Sequence, residues 1–264
     1  MQKCFFKIIV PNYNNLKWLD RCLLSIMQQS FVDWQCVVVD DDSDEFGVTP
    51  ILEIAQAKDR RFTIIKSDKK LWNGGARNVG IRFGIPSEYT VFVDSDDCLK
   101  DKDALKDLYN FIVKNNSPDC IRIQYEMEYD GNKLSQIRLE DNNPKDLVHS
   151  IFVACWTKVI KSELVQLFPE NTLMEDVVQH IKQCDKIESV ALFPRIFYHH
   201  NRNNENSCSI EQNQNLQNGK WQSSMFRYMA DLLDLEVEHD YCEEERIKRK
   251  IACYENIMKG KYWQ

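Results

Sequence analysis

The sequence predicts an α/β fold with a mostly parallel central sheet flanked by helices. Three observations carry that prediction. Apolar, β-rich runs recur through the first hundred residues. Segments with apolar residues at helical spacing separate them. Acidic residues gather where two of the runs stop. Ligands of parallel sheets sit at the carboxyl ends of the strands, so those stops are where chemistry is expected.

Residues 5–10 (FFKIIV) read as the first strand, stopped by Pro11. Leu16, Leu19, Leu23, Ile26 and Met27 then mark one helix face, with Asn14 or Asn15 as N-cap. Residues 36–40 (CVVVD) form an unbroken apolar strand of the kind covered on both faces. A helix over 51–57 leads to a third strand at 62–66 (FTIIK). A short helix over 76–83 is entered through Asn73-Gly74-Gly75, and a fourth strand spans 90–94 (TVFVD). Ala104, Leu105, Leu108, Phe111 and Ile112 carry the next helix. Beyond it, 120–129 reads as a strand, with 133–139 returning across a turn at Asp130-Gly131-Asn132. A helix is expected over 175–184, and short strands over 189–193 and 195–199. The Asn-, Gln- and Ser-rich stretch 201–218 reads as a loop. Trp221, Met225, Tyr228, Met229, Leu232 and Leu235 then line an amphipathic helix, and a charged stretch at 243–250 leads into a last helix.

Composition narrows the classes. The 264 residues are 43% hydrophobic, enough for a real core, and the formal charge of −7 argues against gripping nucleic acid by bulk charge. The ten cysteines are scattered with no C-x-x-C, which fits reduced thiols in a cytoplasmic protein and no structural zinc. The opening apolar stretch is too short for a signal peptide, and no window has the length of a membrane span.

Two strands end in acid clusters, Asp40-Asp41-Asp42 and Asp94-Ser95-Asp96-Asp97. Carboxylates packed so closely repel unless something positive lies among them, and hard oxygen ligands suit Mg²⁺ or Mn²⁺ carrying a diphosphate. Taken one at a time, such acids also serve as solvated turn residues or helix caps. The small residues of Asn73-Gly74-Gly75-Ala76-Arg77-Asn78 would let backbone approach a ligand, with Arg77 at the start of a helix.

In this order the motifs resemble those of family 2 glycosyltransferases of the GT-A fold. Ile8–Asn14 is similar to the family's "IIPTYN", and Arg21–Ile26 with Gln28–Phe31 to "RCLDSILNQTY". Val37–Ser43 is similar to "VVDDGS", with Asp42 where glycine is usual. Gly74–Gly80 resembles the "G-x-x-x-ARN-x-G" element, and Val93–Asp97 the "LDSDD" metal motif.

The resemblance implies a nucleotide-sugar-binding half over 1–115. An acceptor-binding and catalytic-base half would follow over 116–210, then a C-terminal helical extension over 211–264. Pro11, Tyr13 and Asp41 would hold the base, Tyr13 by stacking and Asp41 by accepting a ring N–H. Arg77 would face the diphosphate or the base. Asp94 and Asp96 would reach the ribose and the metal, and Asp97 would orient the donor sugar. Asn14, Gly74 and Ser95 complete the nucleotide-sugar set. Glu175-Asp176 matches the "ED" that supplies the catalytic base, with Asp176 the candidate. Trp156 and Lys158 echo "W-x-K" near the acceptor. Tyr198-His199-His200 echoes a closing motif in which His200 is a candidate third metal ligand.

On this reading the chain is an inverting, metal-dependent glycosyltransferase. It would move sugar from a nucleotide-diphosphate donor, expected to be UDP-linked, to a glycan, lipid-linked or other hydroxyl acceptor. The expected setting is surface glycan assembly in the cytoplasm, in peripheral contact with the inner membrane face. A nucleotidyltransferase and a degenerate sugar-nucleotide-binding protein are the competing classes. Set aside Asp40, Asp41, Asp42, Asp94, Asp96, Asp97, Glu175 and Asp176, and the remaining formal charge is +1. The excess negative charge is thus local to the expected pocket.

Overall fold

The computed structural model describes residues 3–44, 46–129, 132–137, 154–170, 175–184, 186–205 and 207. The strands are β1 (Cys4–Asn12), β2 (Trp34–Asp40), β3 (Phe62–Lys66), β4 (Ser87–Phe92) and β5 (Cys98–Leu99), then β6 (Cys120–Tyr129), β7 (Asn132–Ile137), β8 (Lys158–Lys161) and β9 (Val190–Asn201). The helices are α1 (Leu16–Met27), α2 (Val48–Lys58), α3 (Trp72–Arg82), α4 (Ala104–Lys114) and α5 (Glu175–Cys184). The strands make one sheet in the order β3-β2-β1-β4-β8-β6-β9-β5, with β7 on β6.

The first half obeys the βαβ rule. β3, β2, β1 and β4 pair in parallel, as strands joined by crossover helices must. The parallel character stops at β4, which pairs antiparallel with β8, and β8 antiparallel with β6. β6 and β9 are again parallel, and the two-residue β5 closes on β9. Phe6, Ile8 and Val10 of β1 alternate toward one face, where they meet Leu19, Leu23 and Ile26 of α1, Leu52 of α2 and Leu105, Leu108 and Ile112 of α4. Ile9 faces the other way, into a separate cluster with Phe92, Cys155 and Phe168. α3 lies on that second face, with Ala76 against Val37 and Val39.

Several boundaries differ from the sequence reading. The fourth strand runs from Ser87 to Phe92, so Asp94 lies beyond its end. The helix expected at 76–83 begins at Trp72, which puts Asn73-Gly74-Gly75 inside its first turn and Arg77 in its second. These glycines serve packing. A Cβ on Gly74 would stand 2.5 Å from the Pro169 carbonyl, and one on Gly80 would stand 2.5 Å from Ile9 Cγ2. The strands expected at 189–193 and 195–199 are a single β9 whose register slips against β6 around Pro194, where the ladder loses a donor. Asn15 occupies the N-cap of α1 without a side-chain cap, because its amide donates to Ser95 Oγ at 2.9 Å instead. Of the loop expected at 201–218, Asn201 closes β9. Residues from 208 on, with the expected C-terminal helices, lie outside the described residues.

Candidate functional site

The carboxyl ends of β1, β2 and β4 meet the start of α3, the start of α5 and the end of β9. At the centre is Arg77, 2% exposed. Its Nη2 donates to Asp94 Oδ1 at 2.8 Å, and its Nη1 to Glu175 Oε1 at 2.9 Å and Asp176 Oδ1 at 3.4 Å. Burial opposes the guanidinium charge, but the surrounding carboxylates outweigh it and hold the pKa well above the usual value. One positive charge thus serves three acids. Burial and then the Asp176 charge push Glu175 up to about 7. Burial also raises Asp94, against the pull of Arg77.

The second group surrounds Asp97. Tyr198 Oη donates to Asp97 Oδ2 at 2.7 Å, the Asn201 amide donates to Oδ1 at 2.6 Å, and His200 Nδ1 lies 3.1 Å from Oδ2. Tyr198 Oη also accepts from the Asp94 amide at 3.0 Å, so one phenol ties both ends of the Asp94–Asp97 turn. Trp156 stacks on Tyr198 with centroids 4.7 Å apart and on His200 at 4.9 Å. Asp96 Oδ2 accepts from Asn204 at 2.8 Å. Its pKa rises to about 7 through burial, then the charges of Asp97 and Asp94. Burial works against the His200 charge, but Asp97 and Asp96 prevail and raise its pKa.

The third group is the outer rim. Asp41 Oδ1 accepts from the Leu71 amide at 2.6 Å, and Oδ2 from the Trp72 amide at 2.9 Å and Lys70 Nζ at 3.3 Å. Tyr13 is 44% exposed, with Lys70 Nζ 2.7 Å from its ring centroid. Asn14 exchanges hydrogen bonds with Asp44, and Asn12 and Ser43 both donate to Asp40, so the loops after β1 and β2 are laced together. Asn14 (φ 42°), Asp42 (φ 63°) and Trp72 (φ 62°) all have left-handed backbone around this rim. Asp42 stands where the family pattern has glycine, the residue that bears such a φ without cost. Strain of this kind gathers at ligand sites.

The structure therefore brings Asp94, Asp96, Asp97, Glu175, Asp176, Arg77 and His200 together, with Tyr13, Asn14 and Asp41 at the rim. Three residues sit differently from the sequence expectation. Arg77 is committed to internal carboxylates rather than opening a helix toward an anion. Gly74 packs on the Pro169 carbonyl and the side chains of Phe168 and Glu175. Lys158, 2% exposed, turns its ammonium inward to the Ala154 carbonyl at 3.0 Å and Thr157 Oγ1 at 3.2 Å. Lys70, Asn201 and Asn204 were not legible as site residues. The i, i+2 spacing of Tyr198 and His200 was the signal that both side chains share one face of a strand. His199 points the other way, to Glu126 and Glu128.

Among the described residues no three of His, Cys, Asp or Glu converge as a ready metal cage. The donor set still suits a hard divalent ion. Among the described residues, side-chain hydrogen bonds engage one oxygen each of Asp94 and Asp96, and Mg²⁺ or Mn²⁺ typically takes one or two carboxylates plus phosphate oxygens.

A model described as "Glycosyl transferase family 2" matches residues 7–175. The poly(ribitol-phosphate) β-N-acetylglucosaminyltransferase TarP of Staphylococcus aureus is 34% identical over 156 residues, 56% of this chain and 45% of that protein. The UDP-Glc:α-D-GlcNAc-diphosphoundecaprenol β-1,3-glucosyltransferase WfgD of Escherichia coli is 27% identical over 116 residues, 44% of either chain. The chain thus spans less than half the length of these relatives. Among solved structures, S. aureus TarS 1–349 with UDP-GlcNAc superposes at a TM-score of 0.65 and 24% identity, over 75% of this chain and 58% of that one. A Pyrobaculum calidifontis mannosyltransferase with GDP-Man and Mn²⁺ superposes at 0.60 and 14%, over 87% and 65%. At those identities the superpositions speak for the fold, which is the expected GT-A arrangement. The family match runs from the first strand to the Glu175 that Arg77 binds and covers more than half of the chain, including Tyr13, Asp41, Arg77 and the Asp94–Asp97 turn: the chain belongs to glycosyl transferase family 2.

Proposed function

We propose that the chain transfers a sugar from a nucleotide-diphosphate donor, UDP-linked, to a hydroxyl acceptor by a single inverting displacement. The observation that carries this reading is the convergence on Arg77, which holds the donor-side Asp94 and the α5 acids around one guanidinium. Displacement at an anomeric carbon needs a base on the acceptor hydroxyl and stabilisation of the departing diphosphate. Glu175 is spent on Arg77 at 2.9 Å, whereas Asp176 lies farther off at 3.4 Å and its side chain is the more exposed. Asp176 therefore takes the acceptor proton and Glu175 anchors it. Asp94 and Asp96 would hold a divalent cation that neutralises the diphosphate, and His200, which binds Asp97 through Nδ1 among the described residues, would offer Nε2 to the metal or a phosphate.

Tyr13, Pro11 and Asp41 receive the base, with Asn14 and Ser95 bracing the loops on either side. Asp97 acts on the donor sugar through the turn that it fixes. Residues 116–210 would shape the acceptor side, with Trp156 behind Tyr198 and His200. UDP is favoured because one relative is named as a UDP-Glc enzyme and a structural neighbour is seen with UDP-GlcNAc, and a polymeric or lipid-linked acceptor because the relatives' names give such acceptors. Among the described residues no helix is long and apolar enough to cross a membrane.

The test is UDP release from UDP-sugars with Mn²⁺ or Mg²⁺ and a hydroxyl acceptor. Asp176→Asn is expected to lower kcat about 10²- to 10⁴-fold while calorimetry shows UDP still bound. Asp96→Ala is expected to abolish the metal dependence of UDP affinity. Wild-type turnover in either variant would sink the assignment it tests.

A further inference from the structure

Lys70 stands where the base is expected to lie. Its Nζ is 2.7 Å from the Tyr13 ring centroid, 3.3 Å from Asp41 Oδ2 and 5.5 Å from the Trp72 ring. Stacked rings need about 3.5–4.0 Å between carbon planes, so an ammonium this close occupies the Tyr13 face it covers. Asp41 is similarly engaged. A carboxylate offers about four acceptor sites, and the Leu71 amide, the Trp72 amide and Lys70 use three. The two amides belong to the start of α3 and cannot leave without unwinding it. The Lys70 side chain can leave by rotating its own torsions.

We propose that Lys70 is a displaceable occupant of the base site: it covers Tyr13 and pairs with Asp41, and the entering base expels it. The inference rests on the assignment of Tyr13 and Asp41 to the base. It adds a residue that sets how tightly, and which, bases are admitted. A base that gives Asp41 an N–H in place of the ammonium leaves the carboxylate satisfied. A base that presents an acceptor there does not, and is rejected. Entry thus costs at least the cation–π contact with Tyr13 and the ion pair with Asp41, which a base with a matching ring N–H offsets.

The test uses uridine, which lacks phosphates, so that charge attraction to a diphosphate does not enter. Lys70→Met is expected to raise uridine affinity roughly two- to tenfold, the size of the lost cation–π contact. Lys70→Gln is expected to move it the same way. Raising salt screens the Lys70–Asp41 pair, so wild-type affinity should climb with ionic strength while that of Lys70→Met stays flat. Equal or weaker uridine binding in both variants, with unchanged circular dichroism, would overturn displacement. Tyr13→Ala separates the two layers. If it weakens uridine binding in the Lys70→Met background while Lys70→Met itself gains nothing, the base site stands and the occupant role fails. If uridine ignores Tyr13→Ala in both backgrounds, the base assignment fails and the occupant role with it.

Discussion

Arg77 holds three acids with one guanidinium, and its bonds to Glu175 and Asp176 join segments 98 and 99 residues apart. Removing it leaves Asp94, Glu175 and Asp176 facing one another without a counter-charge. Arg77→Met should therefore cost about 3–5 kcal/mol of stability, read from urea denaturation. Arg77→Lys should recover only part of it, since an ammonium lacks the fork that reaches both sides at once. Asp94, Asp96 and Asp176 were legible because each follows a strand or opens a helix within a short motif. Lys70, Asn201 and Asn204 were not. Their partners lie elsewhere in the chain, up to 108 residues away for Asn204 and Asp96, and no local pattern announces such a pairing.

At the scale of elements, α3 is fitted to its neighbours through its glycines. Gly80 rests against Ile9 of β1, and the Ile9 side chain is itself fully buried. Gly80→Ala should lower stability by about 1–3 kcal/mol, seen as a fall in Tm, because neither partner has room to yield. Gly74→Ala should do at least as much, since the obstacle there is a backbone carbonyl. The same glycines explain a misread boundary: Asn73-Gly74-Gly75 has the composition of a turn, but tertiary contact with residues 168–169 keeps it helical. β1, α1, β2, β3, α4 and β6 follow from hydrophobic periodicity alone. β5, with two residues, and β8, with four, are too short to have a period, and Pro194 splits the reading of β9 without splitting the strand.

For the whole molecule, the crowding of acids sets a pH dependence. Glu175 and Asp96 are both raised to about 7. A carboxyl whose pKa rises on folding holds its proton more tightly in the folded state. Its contribution is full below the unfolded value of about 4 and is lost as pH climbs through the folded value. Without metal, Tm should therefore fall between pH 5 and pH 8, as followed by calorimetry. Glu175→Gln, which cannot ionise, should flatten part of that slope. Mn²⁺ with UDP should flatten it further by supplying the missing positive charge.

β9 has a consequence for how the protein reaches its working state. The parallel unit β3-β2-β1-β4 is complete once residue 92 has been made, its longest-range pairing being β1 with β4, Cys4 opposite Ser87. Asp97, by contrast, receives Tyr198, His200 and the Asn201 amide only after about a hundred further residues have emerged. During synthesis the Asp94–Asp97 turn must wait, with its carboxylates hydrated, for a strand that arrives late. The parallel unit can thus assemble early on the ribosome, while the Asp94–Asp97 turn gains these partners only with β9.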